Sequence, residues 1–146
     1  MEHCVFCRIV GGEIPAYTVY KDDDVTVFLD IYPVDKGHLL VVSNAHYESA
    51  EKAPPETAAK VFAVATAFAR IYRVRLGAPG VNILTNSGRH AGQEIFHFHV
   101  HVIPRWRGGG WRALLARHRL TEDEAREVLG LLGQHLDVVK EYVSRV

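Results

Sequence analysis

Three histidines stand at every second position in "IFHFHVHVIP", Ile95 to Pro104, with Phe98, Val100 and Val102 between them. Neutral imidazole offers three chemistries near pH 7: metal ligation, proton transfer and attack through nitrogen. In a β-strand, residues two apart share a face at steps of about 6.6–6.8 Å, so His97, His99 and His101 are expected to point one way. One histidine in such a run reads as a solvated polar residue. Three on an otherwise apolar strand read as a site. A second reactive pair, Cys4 and Cys7, forms a Cys-x-x-Cys at the N-terminus. Taken alone, that spacing fits half a zinc site, a redox couple or chance, although a redox pair normally follows a strand in a βαβ unit.

The surrounding elements must hold these groups. Val5 to Val10 reads as a short helix stopped by Gly11-Gly12 and Pro15. Tyr17–Tyr20 and Val25–Asp30 read as strands around the turn "KDDD". "HLLVVS", His38 to Ser43, reads as a buried strand. Val61, Ala65, Phe68 and Tyr72 recur at helical spacing from about Pro55 to Leu76, with prolines before and Gly77 after. Val81–Thr85 is a further strand, "NSGRHAGQ" a polar loop, and Ile95–Ile103 the longest strand expected. "TEDE" at Thr121 has capping-box form and opens a helix carrying Ala125, Val128, Leu132, Leu136, Val139 and Val143 on one face. Gly130 and Gly133 weaken its middle turn. Strands that do not alternate regularly with helices indicate an α+β fold on an antiparallel sheet.

The chain has 146 residues, 48% of them hydrophobic, 23% charged, and a formal net charge of zero. These values suit one globular domain, 1–146, and give no global attraction to nucleic acid or a membrane surface. The start lacks a basic n-region and an apolar h-region, and no apolar run approaches a membrane span. With two adjacent cysteines and no disulfide framework, a reduced cytoplasmic setting is expected.

"HFHVHVI" resembles the His-φ-His-φ-His-φ-φ motif (φ apolar) of the histidine triad superfamily of nucleotide hydrolases and transferases. The likeness takes in "CVFCRIVGGEIPA", "FLDIYPVDKGHLLVV" and "NSGRHAGQEIFHFHVHVIPRW", about residues 4–106; the helical extension, about 112–146, adds little to it. The resemblance implies a five-stranded antiparallel sheet with two main helices. It also implies cleavage at the α-phosphate through a covalent nucleotidyl-histidine. His99 would be the nucleophile and His101 a donor to a phosphate oxygen. His38, in "GHLLV", matches a further active-site histidine, and Gln93 a residue at the phosphates or leaving group.

Some members of the superfamily carry zinc on two such cysteines and two histidines. The matching positions here are Cys4, Cys7, His46 and His97. Such a Cys₂His₂ set closes tetrahedral coordination, so Zn2+ would be structural. The likeness also implies that Asp30 takes the ribose hydroxyls and that Phe6, Ile9, Leu29 and Ile31 sandwich a purine. Asn86, Gly92, Gln93, Glu94 and Ile95 would border the phosphates. Position 94 departs from the pattern, because serine is common where this chain has Glu94. That carboxylate either points away or serves an amine leaving group.

Five arginines lie between Arg105 and Arg119, together with Trp106 and Trp111. They could meet a distal polyphosphate or a nucleic-acid end, but the acidic "TEDE" balances them and they read as a solvated basic loop. The expected substrates are adenosine phosphoramidates or dinucleoside polyphosphates, acted on by a homodimer without nucleic-acid or membrane partners. The alternatives are a diadenosine polyphosphate hydrolase or phosphorylase, and a non-catalytic nucleotide-binding regulatory module.

Overall fold

The computed structural model describes residues 3–110, 112 and 116–146. Five strands, β1 (Thr18–Lys21), β2 (Val25–Leu29), β3 (Leu39–Ser43), β4 (Val81–Leu84) and β5 (His99–Pro104), form one sheet in the order β1-β2-β3-β5-β4. Every neighbouring pair is antiparallel. The α+β reading holds.

Alternation along the strands divides the molecule into two faces. Val25, Val27 and Leu29, with Leu39, Val41, Val100 and Val102, point to a core closed by the helices α2 (Pro55–Arg70), α3 (Glu122–Gly133) and α4 (Leu136–Val143). Phe28, Leu40 and Val42 point the other way and pack on Phe6 from α1 (Val5–Val10). Val42 pairs with His99 and Leu40 with His101, so these two histidines lie on the α1 face. A strand whose two faces are both covered reads as apolar throughout, apart from residues kept for chemistry.

Two expectations need correction. The strand expected from Ile95 begins only at His99. Before it the Phe98 carbonyl still accepts the N–H of Ser43 at the end of β3, at 3.4 Å, while the Phe98 N–H turns to the Tyr47 carbonyl in the loop after β3, at 2.6 Å. His97 therefore lies just beyond the ladder, with its ring bonded to the carbonyl of Ser43 at the end of β3. The second correction is the C-terminal helix, which breaks at Gln134–His135 into α3 and α4. The break follows Gly130 and Gly133, and it lets Val138 and Val139 both turn into the core.

The last turn of α2 widens into a π-helical stretch, Ile71–Arg75. This turn buries Tyr72, whose hydroxyl donates to the carbonyl of Gly37. Gly37 has φ +94°, and a Cβ there would stand 2.6 Å from that hydroxyl. Only glycine fits, and it sets the start of the strand that carries His38.

Candidate active site

His38 sits on the α1 face, diagonal to His101 across the β3–β5 pair. Its Nε2 is 2.9 Å from His101 Nδ1. Its Nδ1 accepts the backbone N–H of Val34 at 3.0 Å, so Nε2 carries the proton and donates to His101. His101 must then hold its own proton on Nε2. His99 has the complementary arrangement: Nδ1 lies 2.6 Å from the His97 carbonyl, which can only accept. Nδ1 is therefore the protonated nitrogen and Nε2 keeps its lone pair. The site presents one ring nitrogen with a free lone pair beside one N–H donor, with ring centroids 5.0 Å apart.

Burial keeps these rings neutral. It pushes His101 down to about 3 and His38 to about 2, helped by neighbouring positive charge. His99 is lowered by burial as well, against the bond to the His97 carbonyl and the charge of Asp30. Phe6 meets His99 edge-on at 5.0 Å, and Thr85 donates to the His99 carbonyl at 2.6 Å, fixing the ring and the backbone respectively.

Asp30, His38 and His101 lie close enough together to suggest a second metal site. The hydrogen bonds argue against it. His38 Nδ1 faces a backbone N–H, so Nε2 cannot offer a lone pair without losing that bond. The group is a proton-ordering network.

Cys4, Cys7, His46 and His97 converge, with their four ligand atoms within 4.8 Å of one another. Cys4 Sγ is 3.2 Å from His97 Nδ1, Cys7 Sγ is 3.3 Å from His46 Nδ1, and the two Nδ1 atoms are 3.2 Å apart. The edges of a tetrahedral zinc site are about 3.3 Å between nitrogens and about 3.6 Å between nitrogen and sulfur, from bond lengths of ~2.0–2.3 Å. His97 Nε2 donates to the Ser43 carbonyl at 2.6 Å, which leaves Nδ1 bare and aimed inward. Burial and the adjacent Cys4 push the Cys7 thiol up to about 11, so two thiolates would stand here only with a cation between them. The donor set fits zinc.

A cavity of about 360 Å³ opens above His99 and His101. All twelve residues expected to touch a nucleotide line it: Phe6, Ile9, Leu29, Asp30 and Ile31 on one side; Asn86, Gly92, Gln93, Glu94 and Ile95 on another; and the two histidines at the floor. Asp30 is buried, with Oδ1 taking the Tyr32 N–H at 2.8 Å. Gln93 has its amide bonds spent on backbone groups, Oε1 on Gly88 N–H within the loop and Nε2 on the carbonyls of Ile95 and of the distant Glu48. It braces the wall of the cavity. Glu94 lines both this cavity and a neighbouring groove that reaches His3, Cys4 and His46.

The basic segment is exposed at Arg107, Arg112, Arg117 and Arg119, as a solvated loop would be, and departs from that form at Arg105. Arg105 is buried near Asp35, which also accepts the Trp106 N–H, so the pair ties the end of β5 to the loop before β3. Arg117 enters the cavity wall and meets Asp30. Its spacing gave no sign of this, since the contact comes from a chain return of 87 residues. Trp111 lies outside the described residues.

A family model described as the HIT domain matches residues 11–108. The chain belongs to the histidine triad family. Among family relatives, the Protein hit of Bacillus subtilis is 42% identical over 118 residues, covering 80% of this chain and 81% of that protein. The adenylylsulfatase HINT3 of Arabidopsis thaliana is 37% identical over 136 residues, covering 91% and 69%. Among solved structures, a zinc-bound histidine triad family protein from Mycobacterium smegmatis is 39% identical with a TM-score of 0.78, covering 93% of this chain and 96% of that one. No helix among the described residues of this histidine triad protein is long and apolar enough to cross a membrane.

Proposed function

We propose that this protein cleaves nucleotide conjugates at the α-phosphorus, with adenosine phosphoramidates as the preferred class and dinucleoside polyphosphates as slower substrates. The observation that carries the reading is the complementary protonation of two adjacent rings, with a lone pair on His99 Nε2 and a proton on His101 Nε2. Family membership and the adenylylsulfatase relative support the nucleotide assignment.

In this reading the base lies between Phe6 and Ile9 on one side and Leu29 and Ile31 on the other. Asp30 accepts from the ribose. Asn86 and the backbone around Gly92 approach the phosphate, with Gln93 bracing that loop. Glycine suits this place, since Gly92 has φ +94°. His99 Nε2 attacks phosphorus and the bond from phosphorus to the leaving nitrogen or oxygen breaks. The departing amine takes a proton supplied by Glu94 or water, while His101 donates to a phosphoryl oxygen. Because Nδ1–H stays on the His97 carbonyl, the nucleotidyl-imidazole is held in its cationic form, a good leaving group. Water then attacks phosphorus and passes its proton back to Glu94 or to solvent, the P–N bond to His99 breaks with Nε2 regaining its lone pair, and free nucleotide leaves.

Cys4, Cys7, His46 and His97 would hold zinc. When bound, the metal supplies no open coordination position and acts as a clamp. Pairing into a homodimer is supported by β4, an edge strand bearing half-exposed Ile83, and by Phe62 on the outer side of α2. The test is one turnover assay across an adenosine phosphoramidate, adenylyl sulfate and diadenosine polyphosphates. A higher kcat/KM for the phosphoramidate is expected. A preference for the polyphosphate would reverse the substrate order, and no turnover of any would leave the regulatory-module alternative.

A further inference from the structure

The cavity has a wall from outside the matched domain. Arg117 lies beyond residues 11–108, yet its Nη1 is 3.3 Å from Asp30 Oδ2 and 3.3 Å from the Tyr32 carbonyl. It is the one lysine or arginine among the described residues lining the cavity. The segment carrying it is strapped along the loop that carries Asp30. His118 N–H bonds to the Pro33 carbonyl at 3.2 Å and Leu120 N–H to the Ile31 carbonyl at 2.8 Å. Arg119 lies over the Tyr32 ring at 5.7 Å and bonds to its hydroxyl at 3.1 Å. These anchors on both sides of one short loop fix where the guanidinium can reach.

We infer that Arg117 and Asp30 form a donor–acceptor pair that reads the ribose hydroxyls, making the protein discriminate ribonucleotides from 2′-deoxyribonucleotides. The inference rests on the nucleotide reading above. A carboxylate only accepts, a guanidinium only donates, and a hydroxyl does both. A ribose hydroxyl seated between them donates to Asp30 and accepts from Arg117. Among the described residues both bonds of Arg117 leave from one nitrogen, Nη1. Its planar fork can hold the carboxylate and a hydroxyl together in one fixed geometry, which the rotating ammonium of a lysine does not reproduce. Burial raises the Asp30 carboxyl, and the Arg117 charge opposes that rise. A deoxyribose leaves the buried Asp30 without that hydroxyl donor and the exposed Arg117 without its acceptor, and sites built around a substrate hydroxyl reject the analogue that lacks it.

Arg117 is a specificity residue rather than a catalytic one, so the readout is a ratio of affinities. Calorimetric titration of the full chain with AMP and with 2′-deoxy-AMP is expected to show roughly 10- to 100-fold tighter binding of AMP. In Arg117→Met the preference should fall to about threefold or less, with the loss confined to AMP. Arg117→Lys should lose most of the preference as well, and an unchanged melting temperature shows that both variants fold. An unchanged ratio, or equal weakening for both nucleotides, would overturn the inference while leaving the nucleotide reading intact. A wild type that binds AMP and 2′-deoxy-AMP equally overturns it too. Binding of neither nucleotide would remove both.

Discussion

The carbonyl of His97 holds Nδ1 of His99 at 2.6 Å, and the imidazole of the same His97 is one corner of the Cys4, Cys7 and His46 cluster. The bond that sets the protonation of one ring thus comes from a residue whose own ring is fixed by the cluster. Anything that loosens His97 disturbs the orientation of His99 without touching it.

Removing a metal ligand should therefore weaken the fold first and activity second. Protein purified without chelator is expected to contain one zinc per chain. Cys7→Ser should cost on the order of 4 kcal/mol of stability, the range reached when a metal site is lost, and should lower kcat with it. Metal analysis and thermal melts check this. Prompt loss of turnover on chelation, with the melt unchanged, would instead indicate a metal acting in the reaction.

Much of this arrangement is legible in the sequence because it follows from local rules. Period-two alternation puts Val100 and Val102 into the helical core and His99 and His101 on the opposite face. The Cys-x-x-Cys spacing bonds Cys7 N–H back to Cys4 Sγ in the first turn of α1. His97 follows the same rule although the ladder ends before it: its ring faces Phe6 with that of His99, held by the Ser43 carbonyl and the cluster. Arg117 was not legible at all. Its role depends on a long-range chain return, and local composition shows only a basic run beside an acidic one. The break between α3 and α4 was half visible, as two glycines whose weakness only tertiary packing converts into a turn.

Acidification should destabilise the protein through His38 and His101. Both have native pKa values far below the ordinary 6.5, at about 2 and about 3. As pH falls below about 6.5 the unfolded chain binds these protons and the native state does not, so stability drops by up to about 1.4 kcal/mol per pH unit for each ring. Asp30 faces the pair and works the other way, because burial raises its pKa. It is one group against two, and the Arg117 charge opposes its protonation. Urea midpoints at pH 7, 6 and 5 should fall in the wild type and fall less steeply in His101→Asn. Equal slopes would show that His101 is not held neutral by the fold.

Glu94 borders both the nucleotide cavity and the adjoining groove, the position from which a carboxyl group could reach a departing amine. Glu94→Gln keeps the shape and removes the titrating group. It should depress phosphoramidate turnover by about 10²-fold, the lower range for general acid–base catalysis, and polyphosphate turnover far less. Equal losses on the two substrates would limit Glu94 to shaping the loop.

The central claim is that the lone pair of His99 Nε2 becomes bonded to phosphorus, and covalent trapping tests it most directly. Wild-type protein mixed with an α-³²P-labelled adenosine phosphoramidate, quenched in base and digested, should carry label on the peptide containing His99. His99→Ala should carry none, while still binding AMP. Label on His101, or single turnover without any labelled peptide at any quench time, would contradict the account.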